Sequence, residues 1–194
     1  MDFYCEDKEL KEIITRARDI EPYLIHDSVR ERVVDVCKLA VERFSGDICE
    51  IGAKTGLTTV LLAEIARKYS RKIIAVDPWE LGVQDCYFGE YEEFINRMTP
   101  YNDILEIIRG KSQEEWVISA LRQKTFSFVF IDALHYGWAI KGDIEIFKDM
   151  EGGIIAVDDV NHVWQDAMGG FMEGAKNIKK IPVHNPEHRE GYLI

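Results

Sequence analysis

The sequence contains no apolar run that approaches the roughly 20 residues needed to cross a bilayer, so no membrane span is predicted. Positive charge is also scarce, because 24 Lys and Arg stand against 35 Asp and Glu and give a formal net charge of -11. An acidic chain lacks the electrostatic attraction that holds nucleic acids and anionic membranes. We therefore expect neither nucleic acid nor membrane as a partner.

Cysteines are few and are not spaced as a metal or redox pair. The four, Cys5, Cys37, Cys49 and Cys86, form no Cys-x-x-Cys motif. The first residues are acidic and lack the basic and apolar regions of a signal peptide. These features predict a reducing, cytoplasmic location without disulfides or structural zinc.

Linkers, repeats and low-complexity segments are absent too. With 194 residues, 46% of them hydrophobic and 30% charged, the chain has the size and composition of one globular domain. We predict a single domain over residues 1–194, with N-terminal helices in 1–45 and an α/β core in 46–194.

Apolar runs and amphipathic stretches alternate along most of the chain. Strands are predicted at 47–51, 72–76, 104–108, 126–131 and 152–157, and helices at 6–18, 27–44, 55–69, 90–98, 113–121 and 163–177. Near-continuous apolar strands suit a doubly wound parallel sheet with helices on both faces. Two final segments, 178–183 and 191–194, have no helix between them and predict an antiparallel hairpin.

The turn after the first strand is the most specific motif. Residues 46–56 read GDICEIGAKTG, which is a buried strand with the acid Glu50, a turn with Gly52 and Gly56, and the start of a helix. A second strand ends in Asp77, 21 residues after Gly56. An acid at that place can bind the two hydroxyls of a ribose, so the motif predicts a nucleoside-containing cofactor.

The glycine spacing decides which cofactor. A dinucleotide needs Gly-x-Gly-x-x-Gly for its pyrophosphate, whereas Ala53 and Lys54 stand where further glycines would be required. Glu50 would repel a diphosphate and attract a cation. S-adenosylmethionine (SAM) has a ribose, a sulfonium and an ammonium group but no phosphate. The stretch resembles the first motif of the class I SAM-dependent methyltransferases.

This resemblance implies a Rossmann-like, seven-stranded, mostly parallel sheet of order 3-2-1-4-5-7-6 with an antiparallel C-terminal hairpin. Ligands of such sheets lie beyond the carboxyl ends of the strands. The residues predicted to bind SAM are Glu50, Gly52, Lys54, Thr55, Gly56, Asp77, Trp79, Lys111, Ser112 and Asp132. Structural roles stay open for three of them: a salt bridge for Lys54, a place in the core for Trp79 and a helix cap for Ser112.

Three carboxylates follow the fourth and fifth strands, namely Asp132 and the pair Asp158 and Asp159. If these strands are neighbours, the acids converge, and a hard divalent cation would neutralise them. The alternative is that one Asp of the pair caps the next helix.

The residues around these acids carry a second resemblance. The runs FIDALHY at 130–136 and GGIIAVDD at 152–159 resemble the metal-dependent O-methyltransferases, most closely the macrocin-type sugar enzymes, over residues 45–160. The resemblance implies Mg²⁺, or another hard divalent cation, on Asp132, Asp158 and Asp159. The sugar-modifying group often has a second acid where this chain has Leu134, so the acceptor is predicted only as a small hydroxylated molecule.

Asp132 and His135 are the candidate catalytic residues. His135 stands where catechol-type relatives have a basic residue, and an imidazole with a pKa of about 6.5 can take a proton near neutrality. A structural hydrogen-bonding role for His135 stays equally open. Two other functions remain alternatives: a metal-independent methyltransferase for a nitrogen or carboxyl acceptor, and a non-catalytic SAM-binding protein. The first two helices offer either a homodimer face or a cover over the site.

Overall fold

The computed structural model describes residues 27–79, 89–161 and 166–194. The helices are α1 Asp27–Arg43, α2 Leu57–Lys68, α3 Glu90–Met98, α4 Glu115–Arg122, α5 Gly137–Ile146 and α6 Ala167–Asn177, with a short 3₁₀ helix over Thr99–Tyr101. The strands are β1 Asp47–Ile51, β2 Ile73–Asp77, β3 Leu105–Arg109, β4 Phe126–Ile131, β5 Ile154–Val157, β6 Pro182–His184 and β7 Gly191–Leu193. The helix predicted over residues 6–18 lies outside the described residues.

All seven strands form one sheet, in the order β3-β2-β1-β4-β5-β7-β6. Strands β1 to β5 pair in parallel, whereas β7 runs antiparallel to both β5 and β6. The predicted fold class, strand order and terminal hairpin are therefore confirmed. The parallel order places the carboxyl ends of β1, β2, β3 and β4 at one edge of the sheet.

Apolar side chains fill both faces of the sheet. Alternation along β1 sends Ile48 into the core beneath α1 and α2, and Cys49 into the core beneath α5 and α6. Both residues are fully buried. None of the helices in the described ranges is long and apolar enough to cross a membrane.

Helix α5 follows β4 at a place where no helix was predicted. It packs closely on α6, since a Cβ at Gly170 would lie 2.0 Å from the carbonyl oxygen of Gly137. Two glycines, Gly137 and Gly142, weaken the local helix preference of this segment. Tertiary packing therefore stabilises α5 more than its own sequence does.

Candidate active site

A cavity of about 350 Å³ opens at the carboxyl ends of β1, β2, β3 and β4. Most residues predicted to bind the cofactor line it: Glu50, Gly52, Lys54, Thr55, Asp77, Lys111, Ser112 and Asp132. His135 and Trp138 also line it. Gly56 and Trp79 are not among the described residues of its wall. The sheet thus brings most of the residues predicted to bind SAM, which follow four different strands, together in a single cavity.

Gly52 shapes the turn after β1. Its φ is +93°, and a Cβ placed there would lie 2.0 Å from the carbonyl oxygen of Asp132. Its N–H donates to the carbonyl of Val76 over 2.8 Å. Only glycine tolerates both the positive φ and this contact, so the turn lies directly against β2 and the end of β4.

Asp77 ends β2 and is held by two backbone donors. The N–H of Lys54 lies 3.0 Å from Oδ2, and the N–H of Trp79 lies 2.8 Å from Oδ1. Burial raises the pKa of Asp77, and the two N–H donors act in the opposite direction. The carboxylate is therefore fixed in place at the cavity wall, with lone pairs left for a ligand.

Glu50 lies in β1 and is buried. It is 2% exposed, and the hydroxyl of Thr59 donates to its Oε2. Burial raises the pKa of Glu50 well above its ordinary value, and the negative charges of Asp132 and Asp77 raise it further. These effects favour the neutral form of the Glu50 carboxyl over its charged form.

Trp79 and Gly56 shape the site without forming its wall. The Trp79 ring lies 5.1 Å from the ring of Tyr91 and 4.8 Å from that of Phe94, and its Nε1 donates to the carbonyl of Lys54 over 2.7 Å. Gly56, with a φ of +83°, precedes α2. The position of Trp79 matches the core role left open above, and its predicted part in binding SAM stays a prediction.

Ser112 connects the end of β3 to α5. Its hydroxyl donates to Oδ1 of Asp143 over 2.6 Å, and Gln113 Nε2 donates to the same oxygen over 3.4 Å. Burial raises the pKa of Asp143 to about 6. Ser112 does not cap α4, because Glu114 holds that position.

The acids after β4 and β5 converge as predicted, since these strands are neighbours. Nε2 of His135 lies 3.3 Å from Oδ1 of Asp132, and Nδ1 lies 3.1 Å from Oδ2 of Asp159. Both ring nitrogens donate only when the imidazole is protonated. Burial lowers the pKa of His135, but the neighbouring carboxylates outweigh burial and raise it overall.

Asp158 is the most buried of the three acids, at 1% exposure. Burial, followed by the charges of Asp132 and Asp159, raises the pKa of Asp158 to about 8. Its Oδ1 has no hydrogen-bond partner among the described residues. Asp166, and neither Asp158 nor Asp159, is the residue that directly precedes α6.

Arg189 completes the cluster, and sequence reasoning assigned it no role. Its Nε lies 2.5 Å from Oδ1 of Asp159, and its Nη2 lies 3.8 Å from Oδ2 of Asp158. The antiparallel pairing of β7 with β5 was the available signal, since it sets Gly191 opposite Val157. Residues just before β7 must then lie beside residues just after β5.

In this arrangement, within the described ranges, no group of three or more His, Cys, Asp or Glu side chains is placed to hold one metal ion. Arg189 and His135 instead lie on the carboxylates of Asp159 and Asp132. The cluster adjoins the cavity, because two of its members, Asp132 and His135, also line the cavity wall.

The sequence was compared with known protein families. Residues 49–160, more than half of the chain, match the family described as a methyltransferase domain. The chain belongs to the methyltransferase-domain family. The match begins in β1 and ends just after Asp158 and Asp159, so it spans the glycine turn, Asp77 and the acid cluster. The predicted methyltransferase class is thereby confirmed.

Solved structures share the fold of this methyltransferase. CalS11, a TDP-rhamnose 3'-O-methyltransferase of calicheamicin biosynthesis, is 16% identical, with 97% of this chain and 94% of that chain covered and a TM-score of 0.64. TomG, an O-methyltransferase of Streptomyces achromogenes in complex with SAM, is 18% identical, with 97% and 88% covered and a TM-score of 0.58.

A third structure is the S-adenosylhomocysteine (SAH)-bound methyltransferase PaMTH1 of Podospora anserina. It is 14% identical, with 96% and 87% covered and a TM-score of 0.64. At these identities the likeness concerns the fold alone. Comparison with curated protein sequences gave no match.

Proposed function

We propose that this methyltransferase transfers a methyl group from SAM to a hydroxyl of a small molecule. The observation that carries the proposal is one cavity with two kinds of wall. The glycine turn and Asp77 form one wall, and Asp132 and His135 form another. A donor site and a proton-accepting site thus adjoin in one cavity. CalS11 and TomG, which share the fold, are O-methyltransferases.

The donor half fits a nucleoside without phosphates. Gly52 lets the turn after β1 lie directly against the end of β4, and Asp77 presents a fixed carboxylate suited to two adjacent ribose hydroxyls. The wall, as far as the structure describes it, includes the acids Glu50 and Asp77 and contains no glycine-rich phosphate loop. SAM supplies a methyl group on a sulfonium, which leaves as a neutral thioether once the methyl carbon is attacked.

The acceptor half has to orient a hydroxyl and take its proton. We assign the proton to the hydrogen-bonded pair of Asp132 and His135, whose atoms Oδ1 and Nε2 are 3.3 Å apart. The oxygen of the acceptor forms its bond to the methyl carbon as the carbon–sulfur bond breaks, and its proton moves to this pair. Orientation within the cavity supplies most of the remaining rate enhancement, because the donor is already reactive.

A divalent cation is the finer part of the proposal. Three carboxylates offer the hard oxygen ligands that Mg²⁺ prefers, and the buried Oδ1 of Asp158 lacks a partner among the described residues, so the donor chemistry fits. Asp132, Asp158 and Asp159 would hold the ion. It would bind the acceptor hydroxyl and lower its pKa.

The proposal is tested by following a labelled methyl group from SAM to a panel of small alcohols, phenols and sugars. Amines and carboxylic acids form the comparison panel. We expect product from the hydroxyl panel, loss of product with chelator, and restoration by Mg²⁺. Asp159→Ala should lower turnover 100-fold or more while SAH affinity changes less than threefold. Asp103→Ala, an exposed acid outside the cavity, is the matched control.

Two results would replace this function. Product only on nitrogen or carboxyl acceptors, insensitive to chelator, would support a metal-independent enzyme. Tight SAH binding with no product on either panel would support a non-catalytic SAM-binding protein.

A further inference from the structure

The turn between β6 and β7 is fastened to the loop after β5. Nδ2 of Asn161 donates to the carbonyl of His188 over 2.5 Å and to that of Pro186 over 3.1 Å. Glu190, the next residue but one, is fully buried and bonded to Arg32 of α1 at 3.0 Å. Arg189 therefore projects from a turn that is held on both sides.

This turn places a positive charge on the acid cluster. Nε of Arg189 lies 2.5 Å from Oδ1 of Asp159, and Nη2 contacts the same oxygen. The Arg189 side chain is 37% exposed, whereas that of Asp159 is 10% and that of Asp158 is 1% exposed. The guanidinium thus covers two carboxylates that are themselves largely removed from water.

A divalent cation bound to Asp158 and Asp159 would lie close to the guanidinium of Arg189, which contacts both residues. At separations near 4 Å, two positive charges that are partly shielded from water repel strongly. An ion that binds Asp158 and Asp159 must therefore displace Arg189 or lose much of its affinity. Arg189 has an outward path, because more than a third of its side chain already meets solvent.

We propose that Arg189 is the built-in counter-cation of the metal-free acid cluster and that it competes with a divalent cation for Asp158 and Asp159. This inference rests on the metal site of the proposed function. The affinity for a divalent cation then depends on Arg189, in the turn between β6 and β7, as well as on Asp158 and Asp159. Arg189 acts here as a positioning and charge-balancing residue, and no part in proton transfer is assigned to it.

The test is a titration of the whole protein with Mn²⁺, followed by calorimetry and by the paramagnetic signal of free Mn²⁺. We expect Arg189→Gln to bind Mn²⁺ at least tenfold more tightly than the unsubstituted protein. Arg189→Lys keeps the charge and should stay within about threefold of the unsubstituted protein. Arg67→Gln is the matched control, because Arg67 also pairs with an Asp and its side chain is 40% exposed.

Thermal unfolding gives a second readout that does not depend on turnover. In chelator, Arg189→Gln should unfold at a lower temperature than the unsubstituted protein, because buried carboxylates have lost their counter-charge. Saturating Mn²⁺ should raise its unfolding temperature by more than it raises that of the unsubstituted protein. The rise in unfolding temperature caused by Mn²⁺ would then be larger for Arg189→Gln than for the unsubstituted protein.

Equal Mn²⁺ affinity in Arg189→Gln and the unsubstituted protein would overturn the proposal. So would an Arg189→Gln protein that is folded and binds SAH but takes up no Mn²⁺. The label-transfer assay separates this failure from failure of the proposed function. Methyl transfer to hydroxyls with unchanged Mn²⁺ affinity removes only the role of Arg189. Tighter Mn²⁺ binding without any methyl transfer removes only the enzymatic proposal.

Discussion

The backbone N–H of Lys54 lies 3.0 Å from Oδ2 of Asp77. The glycine turn after β1 and the acid at the end of β2 are therefore one hydrogen-bonded unit. Lys54 has a φ of +46°, a left-handed conformation that a non-glycine residue rarely adopts. The hydrogen bond to Asp77 helps to hold that conformation, so a substitution of Asp77 should also change the backbone conformation of the turn.

Asp77→Asn should weaken SAH binding at least tenfold. An amide is a weaker acceptor for ribose hydroxyls than a carboxylate, and its nitrogen cannot accept from a backbone N–H. Calorimetric titration with SAH measures the effect. Asp103→Asn, at an exposed acid paired with Arg67, should bind SAH like the unsubstituted protein. Unchanged affinity in Asp77→Asn would show that Asp77 does not hold the donor.

Gly52→Ala should destabilise the fold by about 3 kcal/mol, because a backbone contact is added to an unfavourable φ. Gly89→Ala is a matched comparison. Gly89 has the same φ of +93°, but no described atom lies within 4 Å of its added Cβ. We expect a loss of about 1 kcal/mol there, from the backbone alone. Urea unfolding measures the free energy of unfolding of both variants. Equal losses of stability would mean that the backbone of Asp132 moves away from the added Cβ at little cost.

Asp143 should make stability fall as pH rises from about 4 to 6. Its pKa of about 6 in the folded protein exceeds its ordinary value of 3.8, so between these values the folded state binds more protons than the unfolded state. Asp143→Asn should remove this component, worth at most about 3 kcal/mol, from urea unfolding measured across that pH range. An identical pH dependence in the variant would contradict the assignment.

The ion pair between Arg32 and Glu190 should stabilise the position of the hairpin. The Glu190 side chain is fully buried, so Arg32→Met removes the guanidinium partner of a buried carboxylate and should cost about 3 kcal/mol. Arg32→Met with Glu190→Gln should recover part of that loss. A double-mutant cycle by urea unfolding tests the coupling. Strictly additive losses would show that the two residues do not act as a pair.

Much of the fold could be predicted because short apolar runs mark each parallel strand. β4, for example, is Phe126–Ile131 both by prediction and in the structure. The final hairpin was predictable from the lack of a helix before residue 191. Helix α5 was not, because its glycines lower local helix preference and its stability comes from contact with α6.

The site was predictable where the chemistry depends on strand ends. Asp77, Asp132, Asp158 and Asp159 follow directly from the order of the sheet. Arg189 was missed because its partner lies 30 residues away and no local pattern marks it. The hydrogen bond from Thr59 to Glu50 was not predicted for a similar reason, since it forms only when α2 packs on β1.

Calorimetric titration with SAH, with NADH as the comparison ligand, tests the central claim most directly. One SAH per chain should bind, with affinity lowered at least tenfold by Asp77→Asn and little changed by chelator, and NADH should give no heat of binding. Binding of NADH, or no binding of SAH by folded protein, would contradict the assignment of this cavity to SAM.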